Sequence, residues 1–330
     1  MRRATRLEPA ADDPFPEIDG ASTEIRTLKQ HMLSVARDPE VTVLILGESG
    51  TGKERVARAI HRVSPRSHAP FVVVDCASLS ATLVEDELFG HVRGAFTGAI
   101  RDQPGPFERA RGGTVLLDEV GDLTPDLQMK LLRALQARTV QRLGGGSETT
   151  FDVRVIASTN VDLAVARARG RFREDLYYRL NVYGVTVPPL RRRGARDVRA
   201  LAKAILSRLA VRRRRPVPTI APEVLQLLIR YQWPGNVREL ENVLERIMVA
   251  AGLAPRLTPC HLPSDFGAPG PHTPADRGRR APPAAAVEII SALEKNSFRS
   301  GRTAADLGLS RHQLYRLRKR YGVRGPSARG

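Results

Sequence analysis

The chain has 330 residues, with 53 Lys and Arg against 35 Asp and Glu, a formal net charge of +18. That length allows two or three domains with cores of their own, and the basic excess points to an anionic partner, nucleic acid first. Two cysteines, Cys76 and Cys260, exclude a disulfide framework or a cysteine zinc site; no run of about 18 apolar residues offers a membrane span, and the opening residues lack the apolar centre of a signal peptide, so a soluble, cytoplasmic protein is expected.

Residues 1–17 are polar and contain proline, and are expected to form a flexible arm. Ile25, Leu28, Met32 and Val35 then recur at helical spacing between Glu24 and Ala36. Val41 to Leu46 is an apolar, β-branched run, which predicts a strand buried on both faces. It is followed by the turn Gly47-Glu48-Ser49-Gly50-Thr51-Gly52, by Lys53, and by a helical pattern with Val56, Ala57 and Ile60 inward. This is G-x-x-x-x-G-K between a strand and a helix. Glycines carry no Cβ, so backbone N–H groups can curl around phosphate oxygens. The helix start adds the positive end of its dipole. Lys53 supplies a point charge for the β- and γ-phosphates. Glu54 stands where the general motif has Ser or Thr, so the usual hydroxyl on Mg²⁺ is missing there. Water or an acidic residue further on must take that place.

Phe71 to Val74 is a second buried strand, ending at Asp75-Cys76, and Gly113 to Leu117 a third, ending at Asp118-Glu119. A helix is predicted from about Pro125 to Ala137. Val153 to Ala157 is a fourth strand, ending in Ser158-Thr159-Asn160, and Val185 to Val187 a fifth, closed by two prolines. Strands alternating with helices imply an α/β fold with a parallel sheet covered on both faces. Ligands of such sheets sit beyond the carboxyl ends of the strands. There Asp118 would organise a Mg²⁺ shell, and Glu119 would orient and polarise an attacking water. Asn160 could hydrogen-bond the γ-phosphate or that water. Phe172 to Leu180 offers Arg173 and Arg179, on a helix far in sequence from the phosphate loop. An added arginine is worth ~10³–10⁵ in phosphoryl transfer. If the pair does not reach its own nucleotide, a neighbour's is the natural target, which would make the protein an obligate ring; the alternative to either role is a solvated or ion-paired helix face.

Residues 196–262 are expected to form a small all-helical lid, with Arg238 just after Trp233-Pro234-Gly235 and able to grip the nucleotide from above. Residues 263–284 are rich in Pro and Gly and are expected to be a linker. Residues 285–330 form a last segment. In it Thr303 to Leu307 starts one short helix, and Ser310 is a good N-cap for the next, Arg311 to Arg320. Two short helices joined by Gly-Leu-Ser make a helix-turn-helix pattern. Arg311, His312, Gln313, Arg316, Lys319 and Arg320 are left for bases and phosphates, the alternative being a plain hairpin with a basic face.

Together these residues resemble the AAA+ ATPase domain of the bacterial sigma-54-dependent transcriptional activators, the enhancer-binding proteins. The resemblance covers about residues 18–262. It is carried by GESGTGKE (Gly47–Glu54), ELFGHVRGAFTGA (Glu87–Ala99), GGTVLLDEVGDL (Gly112–Leu123), FREDLYYRLNV (Phe172–Val182) and WPGNVRELENV (Trp233–Val243). GAFTGA is the most specific of them. The resemblance implies an AAA+ core over residues 18–195, ATP and Mg²⁺ as cofactors, and Glu54 as the family's own choice. It makes Asp118 and Glu119 the Walker B pair, Asn160 part of sensor I, Arg173 and Arg179 a trans-acting pair, and Arg238 the sensor II arginine. Gly94-Ala95-Phe96-Thr97-Gly98-Ala99 would form a loop tip touching sigma-54 in promoter-bound RNA polymerase. The last segment is similar to Fis-type DNA-binding domains, which implies dimeric binding to enhancer DNA within a hexameric assembly. One departure is Asp75, where the family commonly has an Asn restraining the Walker B glutamate. A carboxylate cannot donate as an amide does, so the brake on Glu119 is expected to be altered. Two rivals are an AAA+ remodelling or unfoldase machine independent of sigma-54, and a DNA-binding repressor with a dead nucleotide site.

Overall fold

Five short strands carry the fold: β1 (Val43–Leu46), β2 (Phe71–Asp75), β3 (Thr114–Asp118), β4 (Arg154–Thr159) and β5 (Tyr183–Thr186). In the computed structural model, which describes residues 13–77, 81–266 and Thr303, they pair in parallel in the order β2–β3–β4–β1–β5. Val43 lies opposite Ile156 and Tyr183, and Leu116 opposite Val73 and Ile156. Side chains alternate across a pleated strand, so these apolar runs need cover on both sides. Val43, Ile45, Leu116, Ile156 and Val185 pack on one side with Ile25, Leu28 and Met32 of α1 (Thr23–Ala36) and Val56, Ala57 and Ile60 of α2 (Lys53–Val63). Leu44, Val74, Val115, Leu117, Val155 and Ala157 pack on the other. There they meet α3 (Ala81–Phe89), α4 (Pro106–Arg109), α5 (Pro125–Ala137), α6 (Leu163–Ala168) and α7 (Glu174–Leu180). The result is the expected α/β architecture.

The lid is built from α8 (Gly194–Arg212), α9 (Pro222–Arg230) and α10 (Asn236–Ala250) around the fully buried Trp233. The indole Nε1 donates to Leu228 O at 2.8 Å, so burial leaves no polar atom unsatisfied. The lid is not all-helical: Thr219–Ile220 pairs in parallel with Arg256–Leu257. Two residues per strand are too few for an alternating pattern to register in sequence. Among the described residues no helix is long and apolar enough to cross a membrane.

Two boundaries differ from expectation. Residues 13–17 are not part of a loose arm, because Phe15 is fully buried beside α1 and α2. Asp13 pairs with Lys29 at 2.5 Å, and Glu17 with Arg62 at 2.8 Å. Residues 1–12 lie outside the described residues. At the other end, Phe266 stacks against Tyr231 and Trp233, with ring centroids 5.1 and 6.0 Å apart. Lid packing thus extends into the expected linker. The rest of that linker and the helix-turn-helix segment, with Arg311, His312, Gln313, Arg316, Lys319 and Arg320, lie outside the described residues. A further tie joins the two ends of the ATPase region. Asp197 of α8 is fully buried. Its Oδ1 accepts from Ala21 N at 2.7 Å and Ser22 N at 3.0 Å, and its Oδ2 from Ser22 Oγ at 2.6 Å.

Candidate functional site

A cavity of about 460 Å³ opens beyond the carboxyl ends of β1 and β3. Polar residues of the phosphate loop, Lys53, Asp118 and Glu119 line part of it. Ile18, Leu28, Val187 and Leu201 give it an apolar part, and Arg193, Arg238 and Glu241 border it from the lid. Such a mix of an apolar slot and convergent polar groups suits a ligand with a flat ring and a charged tail.

The loop curls because Gly50 and Gly52 sit at φ +77° and +98°, conformations that side chains rarely adopt. Lys53 is the first residue of α2 and only 6% exposed. Its Nζ donates to Glu119 Oε1 at 3.0 Å and to Gly47 O at 3.2 Å. Glu119 follows β3 at φ +54°, an uncommon conformation for a residue with a side chain. Its Oε2 accepts from Asn160 N at 2.9 Å, and Asn160 Nδ2 lies 3.4 Å from Oε1. Asn160, expected at the γ-phosphate or the attacking water, is thus bonded to Glu119. Asp118 Oδ1 accepts from Glu119 N at 3.1 Å and from Ser158 Oγ. Sequence reasoning passed over Ser158, which differs from any other strand-end serine only through this contact. Lys53, Asp118, Glu119 and Asn160 are thus brought together across 107 positions of sequence (160 − 53).

Other expected residues lie elsewhere. Of the phosphate loop, Gly50, Thr51, Gly52 and Glu54 line the cavity, whereas Gly47, Glu48 and Ser49 do not. Glu54 forms an exposed pair with Arg58 one turn on, at 2.8 Å. Arg238 lines the cavity and donates to Ser49 Oγ at 3.1 Å. Arg173 and Arg179 do not line it. Arg173, the N-cap of α7, is held by Asp175 at 3.0 and 2.7 Å; Arg179 donates to Leu135 O at 2.6 Å. Both are exposed.

Asp75 is also exposed, and its Oδ1 accepts from Ala77 N at 2.9 Å. Among the described residues no hydrogen bond joins it to Glu119, so the expected coupling of the two carboxylates has no direct contact behind it. Its neighbour Cys76 is buried, and burial together with Asp75, Asp118, Asp122 and Glu119 pushes the thiol far up. Asp75→Asn is expected to slow basal nucleotide turnover by about twofold to tenfold, the worth of one hydrogen bond, because an amide that turns away from Ala77 N can donate to Glu119, where a carboxylate cannot. A steady-state assay checks this, and an unchanged rate removes Asp75 from the machinery.

The segment 94–99 projects from a short antiparallel pair, Gly90–His91 with Gln103–Pro104. Gly94 N donates to Ala99 O at 2.9 Å, and Arg93 N to Asp102 Oδ1 at 2.8 Å, which closes the loop on itself. Gly94 and Gly98 sit at φ +81° and +109° with open space around them. Phe96 is 38% exposed, one edge resting on the His91 ring at 5.0 Å. Asp86 accepts from or pairs with His91 Nδ1 at 2.6 Å and fixes that ring.

Residues 18–186 match the family model described as the Sigma-54 interaction domain, and residues 191–278 match the AAA+ ATPase lid domain. The chain is 44% identical over 320 residues to transcriptional regulatory protein ZraR of Klebsiella oxytoca, covering 94% of this chain and 71% of that one. To ZraR of Escherichia coli K12 it is 46% identical over 294 residues, covering 86% and 65%. To nitrogen fixation protein AnfA of Azotobacter vinelandii it is 44% identical over 332 residues, covering 96% and 60%. The chain thus spans about two thirds of the length of these relatives. Among solved structures, NtrX from Brucella abortus in complex with ATP superposes with a TM-score of 0.70 at 34% identity, covering 92% of this chain and 69% of that one.

Proposed function

Because the chain belongs to the family of sigma-54-dependent transcriptional activators, with a Sigma-54 interaction domain and an AAA+ ATPase lid, we propose that it works as a hexameric ring that hydrolyses ATP to remodel the sigma-54 RNA polymerase closed complex. The observation that carries this reading is the division of the catalytic set. Lys53, Asp118 and Glu119 line one cavity, with Asn160 bonded to Glu119 behind them, while Arg173 and Arg179 are exposed and outside it. A site that needs those arginines is complete only when a neighbouring subunit supplies them.

Lys53 and Glu119 form an ion pair at 3.0 Å. Arriving phosphates compete for Lys53, which frees the Glu119 carboxylate to orient a water and accept its proton. Asn160, already bonded to Glu119, follows it and senses whether the terminal phosphate is present. Asp118 takes both of its hydrogen bonds on Oδ1, which leaves Oδ2 for a cation. One or two carboxylates plus substrate phosphates are what Mg²⁺ requires, so the residues fit that ion. Bound there, Mg²⁺ would neutralise charge on the phosphate oxygens. The apolar slot at Ile18, Leu28, Val187 and Leu201 suits the base.

The loop at 94–99 is the element we assign to sigma-54. Its glycines tolerate a change of backbone shape, and Phe96 offers an apolar anchor. Enhancer DNA would be bound by the basic residues 311–320. The test is open-complex formation on a sigma-54 promoter with ATP. Thr97→Ala is expected to keep ATP turnover within about twofold while open complexes fall by about thirtyfold or more, the scale of a hot-spot contact. Open complexes forming equally fast without the protein reject the function. Lost hydrolysis with intact activation rejects the loop assignment.

A further inference from the structure

Glu48 stands beside the first glycine of the phosphate loop, where phosphate binding does not call for an acid. Its carboxylate faces the lid. Arg191 donates to it from both nitrogens of its fork, Nη1 to Oε2 at 2.7 Å and Nη2 to Oε1 at 2.5 Å. Asn236 Nδ2 donates to Oε2 at 3.2 Å and to Ser49 O at 3.0 Å, while Asn236 Oδ1 accepts from Leu190 N at 2.9 Å. Asn236 is fully buried and sits at φ +54°. One carboxylate therefore joins three segments: the phosphate loop, the junction at 190–191, and the first residue of α10.

The contacts around it are close. The early N–H groups of a helix have no partner within it. In α10, Val237 N and Arg238 N donate to Gly50 O at 2.9 and 3.3 Å. A Cβ on Gly50 would stand 2.3 Å from Gly235 O. A second tie runs through Arg193, 5% exposed, whose Nη2 donates to Thr51 O and Nε to Pro188 O, each at 3.0 Å. The Arg191 guanidinium holds Glu48 below the usual carboxylate range, so the pair stays ionised near neutral pH.

We infer that Glu48 is a positioning residue of the nucleotide site: by pinning the start of α10 to the phosphate loop, it sets where Arg238 stands relative to Lys53. The inference rests on the ATPase reading given above. Glu48 touches neither Lys53 nor Glu119, so any effect of removing it on turnover passes through the lid. Without it Arg191 loses its acceptor, Asn236 keeps only Ser49 O and Leu190 N, and Arg238 is left to Ser49 Oγ and the Gly50 carbonyl, a looser hold on its place over the cavity.

The experiment is a double-variant cycle in the whole chain, read in kcat and, independently of turnover, in ATP affinity. Arg238→Ala alone is expected to lower kcat by about a hundredfold, the scale for one donor to developing charge. Glu48→Ala is expected to lower it nearly as far, with a melting temperature within a few degrees of the parent. The double variant is expected to be no worse than either. Glu48→Gln, which keeps an acceptor for Asn236 and loses the ion pair, should fall between. Effects that multiply in the double variant overturn the inference, as does a harmless Glu48→Ala. Absence of ATP turnover in the unaltered protein sinks the ATPase reading instead, and the affinity cycle still decides the role of Glu48.

Discussion

Glu119→Gln is expected to stop ATP turnover while leaving ATP bound. Gln has the shape of Glu and can still accept from Asn160 N, which lies 2.9 Å from the carboxylate. It cannot take a proton from water. Positioned general bases are worth about 10²–10⁴ in rate, so turnover should fall by that factor. The variant also loses the ion pair with Lys53, at 3.0 Å and with 6% and 18% of the two side chains exposed. That pair has to open before Lys53 can reach a phosphate. Affinity for ATP should therefore hold or rise, and a titration with a fluorescent nucleotide beside the turnover assay measures both. Turnover close to that of the parent would remove Glu119 from the reaction.

Arg173→Ala is the second large effect, and it separates a ring from a collection of independent subunits. Arg173 is exposed and is held by Asp175, not by the cavity of its own chain. An arginine that completes a phosphoryl-transfer site from a neighbour is worth ~10³–10⁵. Isolated Arg173→Ala subunits should bind ATP normally and assembled ones should be inert. Mixing resolves where the arginine acts. In an equal mixture of Glu119→Gln and Arg173→Ala subunits, about one head-to-tail site in four joins an intact Glu119 to an intact Arg173. Activity should return to about that fraction of the parent. If Arg173 served its own subunit, both partners in the mixture would remain dead and nothing would return.

What sequence alone disclosed depended on how local the cause was. Gly47 to Lys53 needs only its own strand, turn and helix to be read, and Asp118-Glu119 only the apolar run before it. The sheet followed from five such runs. Relations across distance were not legible. Nothing in the letters says that Lys53 rests on Glu119, or that Asn160 does, because both follow from β1, β3 and β4 lying side by side. Glu48 read as part of a phosphate loop, and only its bonds to Arg191 and Asn236 show that it faces the lid. Phe15 and Phe266 were hidden for another reason. Each is a single aromatic in a polar or Pro-rich stretch, and one ring gives no periodicity, yet one ring is enough to anchor a segment.

The buried Asp197 has a mechanical consequence. The strand of chain from Phe15 to Ser22, with Ile18 against the cavity, is fastened at its far end to α8. It is a drawstring sewn to the cap. A shift of the cap would therefore carry Ile18 and the wall of the cavity with it, up to the anchor that Phe15 makes beside α1 and α2.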